Sequence, residues 1–285
     1  MPDKTNSASE TGASPRPIGV FDSGIGGLTV VSALRALLPN ESIIYLGDTA
    51  RVPYGGKSAS TVQRYSREIA TMLLERDAKT LVVACNTASA LALPMLQQSL
   101  SITVTGVIIP GAKAAVAATR NGHIGVIGTR ATVASGAYER ALRSLRADLR
   151  ITVRACPLLV PLIEEGWLEN DITDRVIANY IQPLIDDGID TLVLGCTHYP
   201  LLRSALARLL GGEVTLVDSA QNCAVAVRDV LHRENIAAAS DDRGRLEVAL
   251  TDQPDAFLQV AGTALGIDLG AIKVCDLTQP PQSRR

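Results

Sequence analysis

The apolar positions of this chain fall into short β-type runs bounded by turn-forming residues, and these alternate with longer stretches in which apolar residues recur at helical spacing. One run occurs twice: Thr80-Leu81-Val82-Val83-Ala84-Cys85-Asn86-Thr87 returns as Thr191-Leu192-Val193-Leu194-Gly195-Cys196-Thr197-His198. A continuous apolar run of this kind predicts a strand buried on both faces of a parallel sheet. The repetition goes further. Ile18–Ser23 matches Ile124–Thr129, Ile43–Leu46 has a counterpart in Ile151–Ala155, and Ile102–Val107 has one in Glu213–Val217. The same strand order in each half predicts two similar α/β units.

Taken in order, the pattern predicts a strand Ile18–Asp22, a glycine turn Gly24–Gly27 and a helix Leu28–Leu38 stopped by Pro39. A strand Ile43–Gly47, a loop Asp48–Gly56 and an amphipathic helix Ser60–Arg76 lead to the first cysteine strand. An Ala/Leu-rich helix and the strand Ile102–Val107 follow, and Pro110 is placed to open the next helix. The second unit repeats the order: strand Ile124–Gly128, helix Val133–Leu145, strand Ile151–Ala155, a loop or short helix around Leu162–Trp167, and helix Asp171–Asp187. The second cysteine strand, a helix from His198 and a strand Val214–Val217 complete it. Helix Asn222–Glu234, strand Leu246–Leu250, helix Asp255–Leu265 and strand Ile272–Cys275 have no repeat partner and are expected to complete the first unit's sheet.

The reading is therefore α/β, with two flavodoxin-like doubly wound domains whose sheets are mainly parallel. The expected division is a disordered Ser/Thr/Pro-rich tail over 1–16, a first domain of 17–112 plus 222–285, and a second of 113–221. Ligands in such sheets collect beyond the carboxyl ends of the strands. Two units facing each other would then set Cys85 and Cys196 on opposite sides of one cleft.

Composition narrows the function classes. With 285 residues, 47% of them apolar, a core of ample size is available. The net charge of −2 and the lack of any charged block remove the basic footprint of a nucleic-acid binder. Scarce aromatics argue against base-stacking platforms. Five widely spaced cysteines argue against a disulfide framework and for a reducing, cytoplasmic setting. No CxxC or CxxH spacing suggests a closed metal site. The most apolar window, Leu81 to Leu96, is interrupted by Asn86, Thr87 and Pro94 and is too short for a membrane span.

Two glycine-containing motifs invite nucleotide readings. In Asp22-Ser23-Gly24-Ile25-Gly26-Gly27 the third glycine of G-x-G-x-x-G falls on Thr29, and Asp22 would repel a diphosphate. A strand-to-helix turn or a cradle for a small anion both remain open there. Gly56-Lys57-Ser58 resembles the end of a P-loop, but Arg51 stands where its first glycine belongs, and Pro53 and Tyr54 do not suit a nest of amides.

Buried cysteines at strand ends are usually inert, and Cys156, Cys223 and Cys275 are read that way. Cys85 and Cys196 differ because they occupy equivalent places in two repeats, each followed by side-chain donors (Asn86 and Thr87; Thr197 and His198). Racemisation needs a base on one face of a carbon and an acid on the other, with the roles exchanged in reverse. A thiol titrates near enough to neutrality to serve in both forms.

At these motifs the chain resembles the glutamate racemases of the cofactor-independent aspartate/glutamate racemase superfamily. The matching stretches are Val20–Leu28, the Asp48–Gly55 loop with Pro53-Tyr54-Gly55, Val83–Ala88 and Gly195–Pro200, in family order, and the likeness runs from Pro17 to Leu277. The resemblance implies a cytoplasmic homodimer that interconverts L- and D-glutamate for peptidoglycan, using no pyridoxal phosphate, other cofactor or metal. It implies that Cys85 is the base for D-glutamate, assisted by Asp22, and Cys196 the base for L-glutamate, assisted by His198 and Glu165. Ser23, Pro53, Tyr54, Gly55, Asn86, Thr87 and Thr197 would hold the substrate with Asp22, His198 and the cysteines, and Thr129 and Thr132 resemble a Thr-x-x-Thr pair that contacts it. Two alternatives stand beside this: an aspartate or hydantoin racemase, which a substrate panel separates, and an amino-acid binding module, which would need neither thiol.

Overall fold

The computed structural model describes residues 14–239, 243–253, 258, 262–263, 265–266 and 268–277. Among the described residues the apolar runs form ten strands: β1 (Ile18–Asp22), β2 (Ile43–Gly47), β3 (Thr80–Val83), β4 (Val104–Gly106), β5 (His123–Gly128), β6 (Arg150–Ala155), β7 (Thr191–Gly195), β8 (Thr215–Asp218), β9 (Leu246–Leu250) and β10 (Ile272–Val274). They make two sheets, ordered β10-β9-β2-β1-β3-β4 and β6-β5-β7-β8, with every pairing parallel. The order β2-β1-β3-β4 recurs in the second sheet as β6-β5-β7-β8, so the sequence repeat is a repeat of topology. β1, β2, β3, β5 and β7 are buried at every residue. Helices cover both faces of such strands, which is why they read as unbroken apolar runs.

Register brings the strand ends into line. Phe21 lies opposite Val83, and Gly128 opposite Gly195, so the residues just beyond β1, β3, β5 and β7 emerge along common edges. Ser23, Cys85, Thr129 and Cys196 all lie at these edges. The helix Ser219–Arg233 packs on Leu28–Leu37 of the first unit and on Ile108–Ala118, which leads into the second. β9 then pairs with β2, with Ile43 opposite Leu246.

Several helices depart from the expected bounds for local reasons. The stretch Val133–Leu145 is two helices, Arg130–Ala134 and Ala137–Leu145, divided at Gly136, whose φ of 64° is left-handed. The helix after Asn86 also breaks, into Asn86–Leu91 and Leu93–Ser99, with Pro94 in the first turn of the second piece. Pro110 does not open its helix but sits in the first turn of Ile108–Ala118, where its missing N–H is equally harmless. After His198 a 3-10 turn, Tyr199–Leu202, precedes the helix Arg203–Leu210. Most of the helix expected over Asp255–Leu265, and residues 1–13 of the expected tail, lie outside the described residues.

Residues 14–16 are held in place. The Ser14 amide donates to the Ala237 carbonyl (3.2 Å), Lys79 Nζ donates to the Ser14 carbonyl (2.8 Å), and Arg16 pairs with Asp77 (2.8 Å). Lys79 also pairs with Glu41 at 2.6 Å, and both side chains are nearly sealed from solvent. Among the described residues, no helix is long and apolar enough to cross a membrane.

Candidate active site

Cys85 leaves the tip of β3 and caps the helix Asn86–Leu91, its Sγ accepting from the Ala88 amide at 3.4 Å. Ser23, just past β1, lies with its Oγ 3.6 Å from the same sulfur. Burial pushes the Cys85 thiol up, and the nearby Asp22 adds to it. The Ala88 amide and the Ser23 hydroxyl work the other way, and the result is a value of about 12. Cys85 therefore holds its proton at neutral pH.

Asp22 ends β1 and is fully buried, with Oδ2 accepting from the Gly24 amide at 3.1 Å. Burial raises its carboxyl above the usual range, against the opposing pull of His198 and the amides of Gly24, Gly27 and Ser23. The glycine turn after it serves close approach. A Cβ on Gly27 would lie 2.5 Å from that of Asp22, and a Cβ on Gly26 would lie 2.5 Å from the His198 ring. Thr29 fastens the turn to the other unit, donating to the carbonyls of Gly26 (2.9 Å) and Thr197 (3.2 Å).

Cys196 follows β7 with its Sγ 3.7 Å from His198 Nδ1, and His198 Nε2 lies 3.2 Å from Glu164 Oε1. Burial pushes the imidazole down, but hydrogen bonds with Cys196 and Glu164, and the charges of Cys196 and Asp22, outweigh it and hold His198 up at about 10. At neutral pH both ring nitrogens thus carry protons, one toward the sulfur and one toward the acid. The acid is Glu164 and not Glu165. Glu164 is the last residue of the helix Leu159–Glu164 and lines the cavity, whereas Glu165 lies beyond that helix and is exposed. Neighbouring residues on a helix point in directions about 100° apart, so only one of an adjacent pair can face a given partner.

The two thiols share a cavity of ≈ 280 Å³. Ser23, Cys85, Asn86 and Thr87 reach it from the first sheet, and Thr129, Cys196, Thr197 and His198 from the second. Pro53, Tyr54 and Gly55 form its rim. Asp48 orders that rim: it is fully buried, accepts from the Tyr54 hydroxyl, and takes Arg51 Nε at 2.8 Å and Thr251 Oγ1 at 2.9 Å. Gly55 lies so close over Thr129 that a Cβ would come within 2.8 Å of it. Thr87, Thr129 and Thr132 form a triangle of hydroxyls across the two units, with separations of 2.9, 3.2 and 3.0 Å.

Two expected substrate contacts stand back from the cavity. Asp22 and Thr132 are buried and are not among the residues that line it. Among the residues not expected there, Glu164, Arg130 and Cys156 line it. Cys156 follows β6 as Asp48 follows β2, so the repeat itself marked that position. Burial pushes its thiol up to about 12. A cavity with a thiol from each of two sheets can take a proton from one face of a carbon and return one to the other.

Residues 28–227 match the family model for Asp/Glu/Hydantoin racemases. The glutamate racemase of Geobacter metallireducens is 50% identical over 257 residues, covering 90% of this chain and 95% of that one. The solved structure of glutamate racemase isoform RacE1 from Bacillus anthracis is similar with a TM-score of 0.88 and 41% identity, over 92% of this chain and 98% of that one. The Francisella tularensis glutamate racemase, solved in complex with D-glutamate, gives a TM-score of 0.86 at 35% identity over 92% and 98% of the two chains. With its duplicated cysteine strands and the likeness of nearly its whole length to these enzymes, the chain belongs to the Asp/Glu/Hydantoin racemase family and stands among its glutamate racemases, as an amino-acid isomerase.

Proposed function

We propose that the enzyme interconverts L- and D-glutamate by transfer of the α-proton between two thiols, Cys85 acting on D-glutamate and Cys196 on L-glutamate. The observation that carries this reading is the pair of cysteines at equivalent strand tips of two sheets, opening on one cavity. In the L-to-D direction the Cys196 thiolate takes the α-proton, the electron pair is delocalised into the substrate carboxylate, and the Cys85 thiol returns a proton to the opposite face. Cys85, held up at about 12, is suited to be the acid of this step. His198 carries the positive charge that pairs with Cys196, and Glu164 keeps that imidazole charged and oriented. Ser23, Asn86, Thr87, Thr129 and Thr197 supply hydroxyl and amide groups for the substrate's charged ends, and the rim loop Pro53-Tyr54-Gly55 closes over it. Support for glutamate as the substrate comes from the Francisella tularensis relative, whose structure holds D-glutamate.

The wider role follows from the same kinship: a cytoplasmic homodimer that supplies D-glutamate for peptidoglycan, working without a cofactor. Polarimetry of the purified protein on L- and D-glutamate, aspartate and a hydantoin tests the reading. Racemisation of glutamate alone is expected, undiminished by a chelator or a carbonyl trap. Turnover of aspartate or hydantoin in its place would remove the substrate assignment, and activity restored by pyridoxal phosphate would remove the two-thiol step.

A further inference from the structure

Tyr138 lies on the helix Ala137–Leu145 of the second unit and is 2% exposed. It does not line the cavity, yet it touches both strand ends that carry the thiols. Its hydroxyl donates to Asn86 Oδ1 at 2.7 Å, and Asn86 is the residue directly after Cys85. Its ring lies against Gly195, the residue directly before Cys196, where an added Cβ would meet Tyr138 Cε2 at 3.1 Å. One rigid aromatic side chain thus spans from the tip of one cysteine strand to the tip of the other, and its polar end is engaged as burial demands.

The hydrogen bond also settles the two ends of the Asn86 amide. Ser219 also hydrogen-bonds the Tyr138 hydroxyl, in the sense that favours the phenolate, so it donates to the phenol oxygen and leaves the phenol's single proton for Oδ1, which holds that oxygen toward the helix. The amino end of the amide, on the opposite side, is then left for the cavity that Asn86 lines. A donor is what a substrate carboxylate requires, and an unfixed amide would spend part of its time presenting an oxygen to that anion. Resting on the reading of the cavity as a glutamate site, we propose that Tyr138 is a positioning residue. It sets the Asn86 amide donor-first toward the substrate and props Cys85 and Cys196 at their working separation.

Steady-state kinetics of Tyr138→Phe, Asn86→Ala and the double variant test this, with the unmodified enzyme's turnover of glutamate checking the underlying reading first. Tyr138→Phe keeps the ring on Gly195 and removes only the hydroxyl. It is expected to raise KM for both enantiomers about tenfold while kcat changes less than threefold, because a uniformly used binding contact is weakened. Since Tyr138 acts through Asn86, the same hydroxyl deletion made in Asn86→Ala is expected to change KM less than twofold. Equal factors in both backgrounds would overturn the proposal, as would an unchanged KM in the single variant. A second variant is independent of any folding defect in Tyr138→Phe. Asn86→Asp keeps the oxygen that Tyr138 uses and replaces the donor end, so KM should rise about 100-fold or more in the folded enzyme, whose melting temperature falls only by the cost of burying the carboxyl. A near-normal KM for Asn86→Asp would show that the donor end does not face the substrate.

Discussion

Thr197 Oγ1 donates to Asp22 Oδ1 across the cleft at 3.4 Å, so the acid behind one thiol is hydrogen-bonded to the residue that follows the other. The link is electrostatic as well. The charge of Asp22 helps to hold His198 protonated, and His198 in turn pulls the buried Asp22 carboxyl back toward its ionised form. The assistants of the two cysteines are therefore one connected set, and substitutions on either side of the cleft report on both.

Removing either thiol should stop racemisation in both directions, because each direction uses one sulfur as base and the other as acid. General acid–base groups contribute about 100- to 10,000-fold, and Cys85→Ala and Cys196→Ala are each expected to lose at least that much kcat/KM. Cys223 is equally buried but sits in the core, on the helix Ser219–Arg233, away from the cavity. Cys223→Ala should cost some stability and leave turnover within twofold. A Cys196→Ala enzyme with near-normal turnover would contradict the assignment.

Glu164→Gln and Glu165→Gln separate two adjacent acids. Glu164 lies 3.2 Å from His198 Nε2, and losing its charge removes one of the groups that keep the imidazole protonated. A drop in kcat/KM of about tenfold, a little over 1 kcal/mol of barrier, is expected for Glu164→Gln at neutral pH. Glu165→Gln should behave as wild type. The reverse pattern in a steady-state assay would show that the helix Leu159–Glu164 turns its other face inward during catalysis.

That distinction marks where the sequence ceased to be legible. Strands β1, β2 and β7 fall on the expected residues because fully buried parallel strands leave an unmistakable apolar run, and β9, buried from Val248 to Leu250, does so as well. Cys85, Cys196 and His198 were legible through the repeat. Glu164 and Glu165 were not separable, since both follow the same apolar stretch and only the helix's rotation, fixed by Leu159 and Ile163 in the core, decides which one turns to His198. The break at Gly136 was hidden for a similar reason: Val133 and Leu145 continue the apolar pattern on either side of a glycine whose positive φ shows only in three dimensions. Tyr138 gave no signal, because a lone tyrosine at a core spacing reads as packing until its hydroxyl is seen on Asn86.

The raised pKa of His198 predicts how stability depends on pH. The imidazole titrates at about 6.5 when unfolded and is held at about 10 in the fold. Between these values the native state keeps a proton that the unfolded chain has released, so the stability it contributes is complete below about pH 6.5 and falls as pH rises toward 10. Denaturant titrations from pH 6.5 to 9 should show this decline, and His198→Asn should flatten it. A slope unchanged in His198→Asn would mean that the imidazole is not protonated in the native state.

The connection through Asp22 shapes what isotope effects will show. Enantiomers have equal free energy in water, so any variant must lose kcat/KM by the same factor in both directions. What a variant can change is which of the two proton transfers limits the rate. His198 touches Cys196, so His198→Asn should slow the Cys196 transfer chiefly, and the primary deuterium effect on kcat/KM should rise with α-deuterated L-glutamate and fall with the D-enantiomer. Asp22→Asn acts beside Cys85 and should do the opposite, raising the effect with D-glutamate and lowering it with L-glutamate. It also removes a charge that supports His198, so part of its effect falls on the Cys196 transfer, and its asymmetry should be the smaller of the two. Competitive isotope measurements on both variants with both enantiomers decide the matter. Shifts in the opposite sense would exchange the faces assigned to the two cysteines. Asp22→Asn as lopsided as His198→Asn would mean that the bond between Asp22 and Thr197 carries no coupling between them.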